Sequence, residues 1–117
     1  MIRHLDRLAT CDLELIRLFS EVGKTNNITI ICGFRDQAAQ DLAFASGASK
    51  EQWPDGKHDR RPSQAVDVGP DPICFGDIEA FKNLAVIVKD TARRLNIGVK
   101  WGGDYLHLHD YPHWELI

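Results

Sequence analysis

Histidines and carboxylates gather in the second half of the sequence, and they are the residue types from which zinc sites are built. Four of the five histidines occur after position 57, in predicted loops or at strand ends, together with several aspartates. This set comprises His58, His107, His109, His113, Asp67, Asp104 and Asp110. Zinc prefers imidazole nitrogen and carboxylate oxygen among its ligands. A single histidine is more often a hydrogen-bonded or surface residue, so an assignment must depend on the pattern.

Two separated segments carry the pattern. The first reads KHDRRPSQAVDVGP from position 57 to 70, and the second reads DYPHWEL from position 110 to 116. Together they resemble the family of D-alanyl-D-alanine carboxypeptidases and L-alanyl-D-glutamate endopeptidases, whose phage members are endolysins. In that family a His, a later Ala-x-Asp, and a distant acidic residue three positions before a second His form the site. The resemblance implies that His58, Asp67 and His113 are ligands of Zn²⁺.

The same resemblance implies two catalytic residues. Asp110 falls on the position of the catalytic carboxylate, which takes a proton from water and passes it to the leaving amine. Arg35 follows a predicted buried strand and stays charged, so it is the candidate for binding the carbonyl oxygen as it becomes an oxyanion. Three protein ligands leave a fourth tetrahedral position for water, as catalytic zinc requires. Ser63 and Tyr105 are weaker candidates for substrate contact, because turn formation and packing explain them equally well.

Further segments resemble the family in the same order along the chain. They are the Gly-Phe-Arg at 33–35 with Gln40, the Phe-Ala-Ser-Gly at 44–47, and the Trp-Gly-Gly-Asp-Tyr at 101–105. Two departures stand out: the interval from His58 to Asp67 is two residues longer than in many members, and Trp114 replaces the usual Phe.

The His-Leu-His at 107–109 offers an alternative site. Cell-wall peptidases of the lysostaphin type use a His-x-His pair, with the second His as ligand and the first as base. We prefer Asp110 and His113 because the residues around them match the carboxypeptidase and endolysin pattern. His107 and His109 are then at most neighbours of the site.

The resemblance implies a zinc peptidase that cleaves peptidoglycan stem peptides, and the L-alanyl-D-glutamate bond is the favoured target. A D-alanyl-D-alanine carboxypeptidase of the same fold is the nearest alternative. A non-catalytic binding module that keeps zinc, as hedgehog domains are thought to do, is the alternative from another class. The presence of Asp110 and Arg35 argues against that module, because a structural site needs neither a base nor an oxyanion partner.

Apolar periodicity predicts the elements that must position these residues. Helices are predicted from Asp12 to Val22, from about Asp36 to Ala45, and over 78–95, where one apolar face continues for about five turns. The first helix is expected to bury Leu13, Ile16, Phe19 and Val22, and the second to bury Ala38, Leu42 and Ala45. Strands are predicted at 28–32, 65–68, 99–101, 106–109 and near 113–116. This order indicates an α+β fold: a small antiparallel sheet flanked by about three helices, of the hedgehog and DD-peptidase type.

Length and composition limit the remaining possibilities. A chain of 117 residues fits one zinc peptidase domain over 1–117, expected to act as a monomer. The net charge of -3, without a long basic run, excludes a nucleic-acid stripe, and no transmembrane segment is predicted. The charged N-terminus lacks a secretory signal, so we expect synthesis in the cytoplasm and action on the wall after release. The cysteines at 11, 32 and 74 are expected to be reduced, with no assigned chemistry.

Overall fold

The computed structural model describes all residues from 1 to 117. It contains one five-stranded sheet and four α-helices, with two short 3-10 turns. The strands are β1 (Ile2–Arg3), β2 (Ile28–Cys32), β3 (Ala65–Pro70), β4 (Val99–Trp101) and β5 (His113–Leu116). The helices are α1 (Leu5–Leu8), α2 (Leu13–Gly23), α3 (Gln37–Ala45) and α4 (Ile78–Leu95), and the 3-10 turns are Lys57–Asp59 and Gly102–Asp104.

The sheet is antiparallel apart from one edge. Its strand order is β1-β2-β3-β5-β4, so the last strand in sequence lies between β3 and β4. Only β1 runs parallel to its neighbour β2. The predicted α+β class with a small, largely antiparallel sheet is confirmed. The structure adds β1 and α1, which the sequence analysis did not predict because both are too short to show a period.

One side of the sheet is covered by α2 and α4. The predicted α4 is confirmed, and its residues Phe81, Leu84, Ala85 and Val88 are buried. Both helices start with an aspartate that accepts a hydrogen bond from a backbone N–H of the first turn, at Asp12 for α2 and Asp77 for α4. None of the helices combines the length and the hydrophobicity needed to cross a bilayer.

The buried face of α2 differs from the predicted one. Leu13 is 78% exposed, whereas Leu15, Leu18, Phe19 and Val22 are buried. A spacing of three residues drifts around a helix, and the buried set instead follows the i, i+3, i+4, i+7 spacing of a single helical face. The helix was therefore predicted correctly. Phe19 and Val22 are buried as predicted and Ile16 packs against the core, but Leu13 was wrong and Leu15 and Leu18 were missed.

The inner face predicted for α3 is also wrong. Ala38, Leu42 and Ala45 are exposed, and Leu42 has 71% of its surface accessible. The one buried residue of α3 is Gln40, at 1% exposure. This helix covers a polar cleft instead of the apolar core, so hydrophobicity does not identify its inner side.

The predicted strand at 106–109 does not form. Instead, residues 105–110 make a loop whose two ends bond to one atom: the backbone N–H groups of Tyr105 and Asp110 both donate to the Gly102 carbonyl, at 3.2 and 3.0 Å. Leu106 and Leu108 are 90% and 54% exposed. The alternation of apolar residues was misleading because this loop has no neighbouring strand to pair with.

Candidate metal centre

The register of the sheet brings polar side chains together on the face opposite α2 and α4. Asp67 lies between Val66 and Val68, which are fully buried in the core, so strand alternation turns its carboxylate to the other face. His113 is the direct partner of Asp67 on β5, and Cys32 is its partner on β2. Directly paired residues present their side chains on the same face of a sheet.

His58 reaches this face from the 3-10 turn at Lys57–Asp59. It is 5% exposed, and its Nδ1 lies 2.8 Å from the carbonyl oxygen of Gly33, which follows β2. The backbone N–H of Arg35 donates to the His58 carbonyl at 2.8 Å, so the turn is tied to the end of β2 at two points. The fixed turn holds the imidazole over the sheet.

Three ligand atoms form a nearly equilateral triangle. His58 Nε2 lies 3.3 Å from Asp67 Oδ1 and 3.3 Å from His113 Nδ1, and His113 Nδ1 lies 3.2 Å from the same Asp67 oxygen. A tetrahedral zinc ion with bonds of about 2.0 to 2.1 Å holds neighbouring ligand atoms about 3.3 Å apart. The spacing of the side chains therefore fits one ion bound by all three.

The outer nitrogen of each imidazole is engaged by an acceptor. His58 Nδ1 faces the Gly33 carbonyl, and His113 Nε2 lies 3.0 Å from Glu115 Oε1. A carbonyl or carboxylate oxygen can only accept, so both outer nitrogens must carry the proton. A metal ion that displaced the inner protons would therefore meet the lone pairs of His58 Nε2 and His113 Nδ1, because acceptors on the outer nitrogens typically orient metal-bound histidines in this way.

Glu115 is itself held by two further residues. Its carboxylate lies 2.9 Å from Lys57 Nζ and accepts a hydrogen bond of 2.8 Å from the Tyr105 hydroxyl. The hydrogen bond with His113 is the largest influence that lowers the pKa of Glu115, so the residue remains ionised as an acceptor. Glu115 was missed in the sequence analysis, although its position two residues after His113 on a strand places both on one face.

The same cluster strongly favours positive charge. Burial is the largest single influence and lowers the pKa of both imidazoles. The hydrogen bond and charge of Asp67, together with Cys32 for His58 and Glu115 for His113, outweigh burial and raise the pKa to about 10 for His58 and about 9 for His113. Burial raises the pKa of Asp67, and hydrogen bonds from the two histidines overcome this and lower it. The site therefore suits a cation.

Cys32 is a second residue that the sequence analysis missed. Cys32, His58 and Asp67 bring ligand atoms within 4.8 Å of one another, a group whose geometry could hold a metal ion. The sulfur lies 4.0 Å from His58 Nδ1, the outer nitrogen that faces Gly33. The Cys32 sulfur therefore lies on the Nδ1 side of the His58 ring, whereas the triangle of ligand atoms lies on the Nε2 side. Its direct pairing with Asp67 across the sheet could have been found only with the strand register known.

Arg35 lies beside the metal centre with a fixed side chain. Its Nη1 donates a 2.9 Å hydrogen bond to Gln40 Oε1, and its Nη2 lies 3.7 Å from Asp67 Oδ2. The amide of Gln40 in turn donates to the Glu51 carbonyl at 2.6 Å and to Ser49 Oγ at 3.0 Å. The burial of Gln40 thus reflects its position between the guanidinium and the loop that follows α3.

Asp110 lies in the same cleft, which has a volume of about 680 Å³ and includes the three ligand residues and Arg35 in its lining. Burial and the charge of Asp67 raise the pKa of Asp110. Its carbonyl accepts a 3.1 Å hydrogen bond from the His113 backbone N–H, so the predicted base and the predicted ligand share one tight turn.

The remaining candidates are placed differently. Tyr105 and His107 line the cleft, whereas His109 is exposed and its Nδ1 lies 3.0 Å from the Gly103 carbonyl. Ser63 is fully buried, and its hydroxyl donates to the Ala65 carbonyl at 2.6 Å. The geometry of Ser63 is thus that of a turn residue.

Comparisons with known proteins place the fold and the sequence beside a peptidase family. The chain matches the L-Ala D-Glu endopeptidase ChiX of Serratia marcescens with a TM-score of 0.85 and 25% sequence identity, over 100% of this chain and 90% of that one. No curated protein sequence matches it. A family model described as phage L-alanyl-D-glutamate peptidase matches residues 2–116. The chain therefore belongs to the phage L-alanyl-D-glutamate peptidase family.

Proposed function

We propose that this protein is a zinc-dependent peptidase that cleaves the L-alanyl-D-glutamate bond of peptidoglycan stem peptides, with His58, Asp67 and His113 as the metal ligands. The observation that carries the proposal is the triangle formed by two imidazole nitrogens and a carboxylate oxygen, with edges of 3.2 to 3.3 Å. Family membership and the similarity to ChiX support the bond specificity.

Zinc held by these residues would supply Lewis acidity, which polarises a scissile carbonyl and acidifies a water molecule. Asp110 serves as the base that accepts a proton from the attacking water and returns it to the leaving amine. Its raised pKa supports both steps, because a more basic carboxylate takes the proton more readily and can still release it near neutral pH.

Arg35 provides the charged donor for the oxyanion. Its ion contact with Asp67 is long, at 3.7 Å, and its hydrogen bond to Gln40 uses only Nη1. The guanidinium offers five N–H donors in a rigid fork, so others remain for a substrate oxygen. Gln40 positions the fork before substrate arrives, which reduces the reorganisation needed in the transition state.

We infer that residues 1–117 form one peptidase domain that works as a monomer. The substrate is the stem peptide of peptidoglycan, reached after the protein leaves the cytoplasm where it is made. Light scattering during chromatography would measure the oligomeric state directly.

The test is digestion of purified peptidoglycan by the zinc-loaded protein, followed by mass analysis of the fragments. We expect cleavage that exposes the amino group of D-glutamate, loss of cleavage after chelation, and recovery when zinc is restored. Release of terminal D-alanine would instead identify a carboxypeptidase.

Two variants serve as controls for the assay. Asp110→Asn keeps the ligands but removes the base, so residual cleavage by this variant measures background hydrolysis. Lys82→Gln changes an exposed lysine of α4 outside the cleft and should digest peptidoglycan like the wild type. Absence of any cleavage by wild-type protein with zinc would refute the enzyme assignment.

A further inference from the structure

Cys32 lies beside the candidate metal centre but has no part in the proposed reaction. It is the direct partner of Asp67 on β2, whereas His113 is the partner of Asp67 on β5, so the two residues flank Asp67 from opposite sides. The ligand atoms of Cys32, His58 and Asp67 lie within 4.8 Å of one another. His58 and Asp67 are therefore placed to share an ion with Cys32 as well as with His113.

The two carboxylate oxygens of Asp67 face different partners. Oδ1 lies 3.3 Å from His58 Nε2 and 3.2 Å from His113 Nδ1. Oδ2 lies 3.7 Å from Arg35 Nη2, the nitrogen that also donates to Cys32 Sγ at 3.9 Å. One charged nitrogen thus contacts both the sulfur and the carboxylate. The space between Cys32 and Asp67 therefore already accommodates positive charge.

The sulfur makes this space chemically different from the triangle of ligand atoms. Two imidazoles and a carboxylate suit zinc, whereas a thiolate favours softer cations such as Cd²⁺. The contact between Arg35 and Asp67, at 3.7 Å, is beyond hydrogen-bonding range. A cation that bonded to the sulfur would therefore displace Nη2 at little cost, while Nη1 kept its hydrogen bond to Gln40.

We propose that Cys32, His58 and Asp67 form a second metal position, which binds soft divalent cations such as Cd²⁺ and excludes zinc while it is filled. The thiol proton passes to solvent as the bond between metal and sulfur forms. Because His58 and Asp67 belong to both positions, only one ion binds at a time. The soft ion also separates Arg35 from Asp67. This second position depends on its own three ligands and on no assumption about the bond that the protein cleaves.

The experiment is a titration of the metal-free protein with Cd²⁺, followed through the ultraviolet charge-transfer band of a cadmium–thiolate bond. The wild type should develop the band, and C32S should lose it, because a hydroxyl is a hard ligand. C74S is the matched control and should keep the band, since Cys74 is exposed and lies outside the group of three. A band of wild-type intensity in C32S would overturn the proposal.

His113→Ala separates the second position from the proposed zinc position. This variant should bind zinc poorly but keep the cadmium–thiolate band, because His113 belongs only to the zinc position. Asp67→Ala should weaken the binding of both ions. Loss of the band in His113→Ala would overturn the proposal, since cadmium would then occupy the zinc position.

Cadmium NMR of the wild-type protein tests the same position without any variant. A sulfur ligand moves the cadmium resonance far downfield of the region for an ion bound by nitrogen and oxygen alone. We expect the downfield position, and a resonance in the nitrogen and oxygen region would overturn the proposal. Neither spectroscopic measurement involves cleavage, so a failure of the proposed function would leave both results as they stand.

Discussion

At the scale of single residues, the metal centre depends on groups that do not touch the ion site. Gly33 and Glu115 keep the outer nitrogen of each imidazole protonated, so the inner nitrogen is the one that a metal ion would bind. One of these groups is a backbone carbonyl, which no substitution at position 33 removes. Glu115 is therefore the residue at which the effect of an acceptor on the outer imidazole nitrogen can be tested by mutation.

Replacing Glu115 with Gln should weaken zinc binding by about tenfold to a hundredfold. This is the usual cost of losing a carboxylate that accepts a hydrogen bond from a metal-bound histidine. The amide removes the charge that holds the His113 ring and leaves Lys57 without its ionic partner. Competition with a chromogenic chelator would measure the affinity. Tyr105→Phe is the matched control, since it removes one hydrogen bond from Glu115 without altering the contact with His113. Equal zinc affinity in E115Q and wild type would contradict this account.

Base and ligand should separate cleanly in their variants. Asp110→Asn is expected to retain zinc and lose about a hundredfold or more in turnover, because it removes proton transfer but no ligand. His113→Ala is expected to lose both metal and activity. Zinc content by atomic absorption, measured beside the hydrolysis rate, distinguishes the two cases. Full zinc occupancy in His113→Ala would direct attention to His109.

At the scale of elements, one glycine positions the segment that carries both residues. The Gly102 carbonyl binds both ends of the loop at 105–110, and a side chain at this position would overlap the carbonyl oxygen of Asp110 and approach the Cβ of His113 at 3.0 Å. The loop can pass so close to the backbone only because position 102 has no Cβ.

Gly102→Ala should therefore reduce turnover by about tenfold or more, because a displacement of even 1 Å at the base is costly. The rate at which the zinc-loaded variant digests purified peptidoglycan would measure the loss. Gly76→Ala is a suitable comparison, since an added Cβ there meets nothing within 4 Å. Wild-type turnover in G102A would show that the base does not depend on this close approach.

Sequence reasoning succeeded for elements whose apolar pattern follows burial in the core. It failed for elements that face the polar cleft, because their hydrophobic residues do not mark the buried side. The long apolar face of α4 was predicted because it packs on the sheet. The inner side of α3 was not, because its one buried residue is the polar Gln40. The segment predicted as a strand at 106–109 is a loop instead. Its leucines, Leu106 and Leu108, are exposed and line the cleft, so their alternation does not reflect burial in the core. Motif spacing identified the ligand candidates, whereas Cys32 and Glu115 required the strand register. The catalytic roles remain predictions until the variants are measured.

At the scale of the whole molecule, zinc should stabilise the fold by mass action. The proposed ligands come from β3, β5 and the turn between α3 and β3, so an ion that binds all three would favour the folded state. At a zinc concentration of about 100 times Kd, the melting temperature should rise by about 10 °C. Calorimetry with and without chelator would measure the shift. Asp67→Ala should show no zinc-dependent shift, and an equal response in this variant would contradict a site that includes Asp67.

Zinc affinity should also increase with pH. In the metal-free protein the pKa values of His58 and His113 are raised from 6.5 to about 10 and about 9, so protons compete with zinc at neutral pH. The stability that these charged imidazoles give the metal-free protein is complete below pH 6.5 and is lost as pH rises through 9 to 10. The lowered pKa of Asp67 adds stability above its ordinary value of 3.8, which is lost as pH falls.

Titrations with zinc between about pH 6 and pH 9 would check this, and proton release on binding should be visible as a dependence of the binding heat on the buffer. An affinity independent of pH would mean that the imidazoles are already neutral without metal.

The position of β5 has a consequence for how a newly made chain matures. This strand is last in sequence, yet it lies between β3 and β4, and β4 has no other strand neighbour. A nascent chain therefore cannot complete this sheet before β5 has been synthesised and inserted between its two neighbours. Because His113 belongs to β5, the proposed ion site stays incomplete until that insertion.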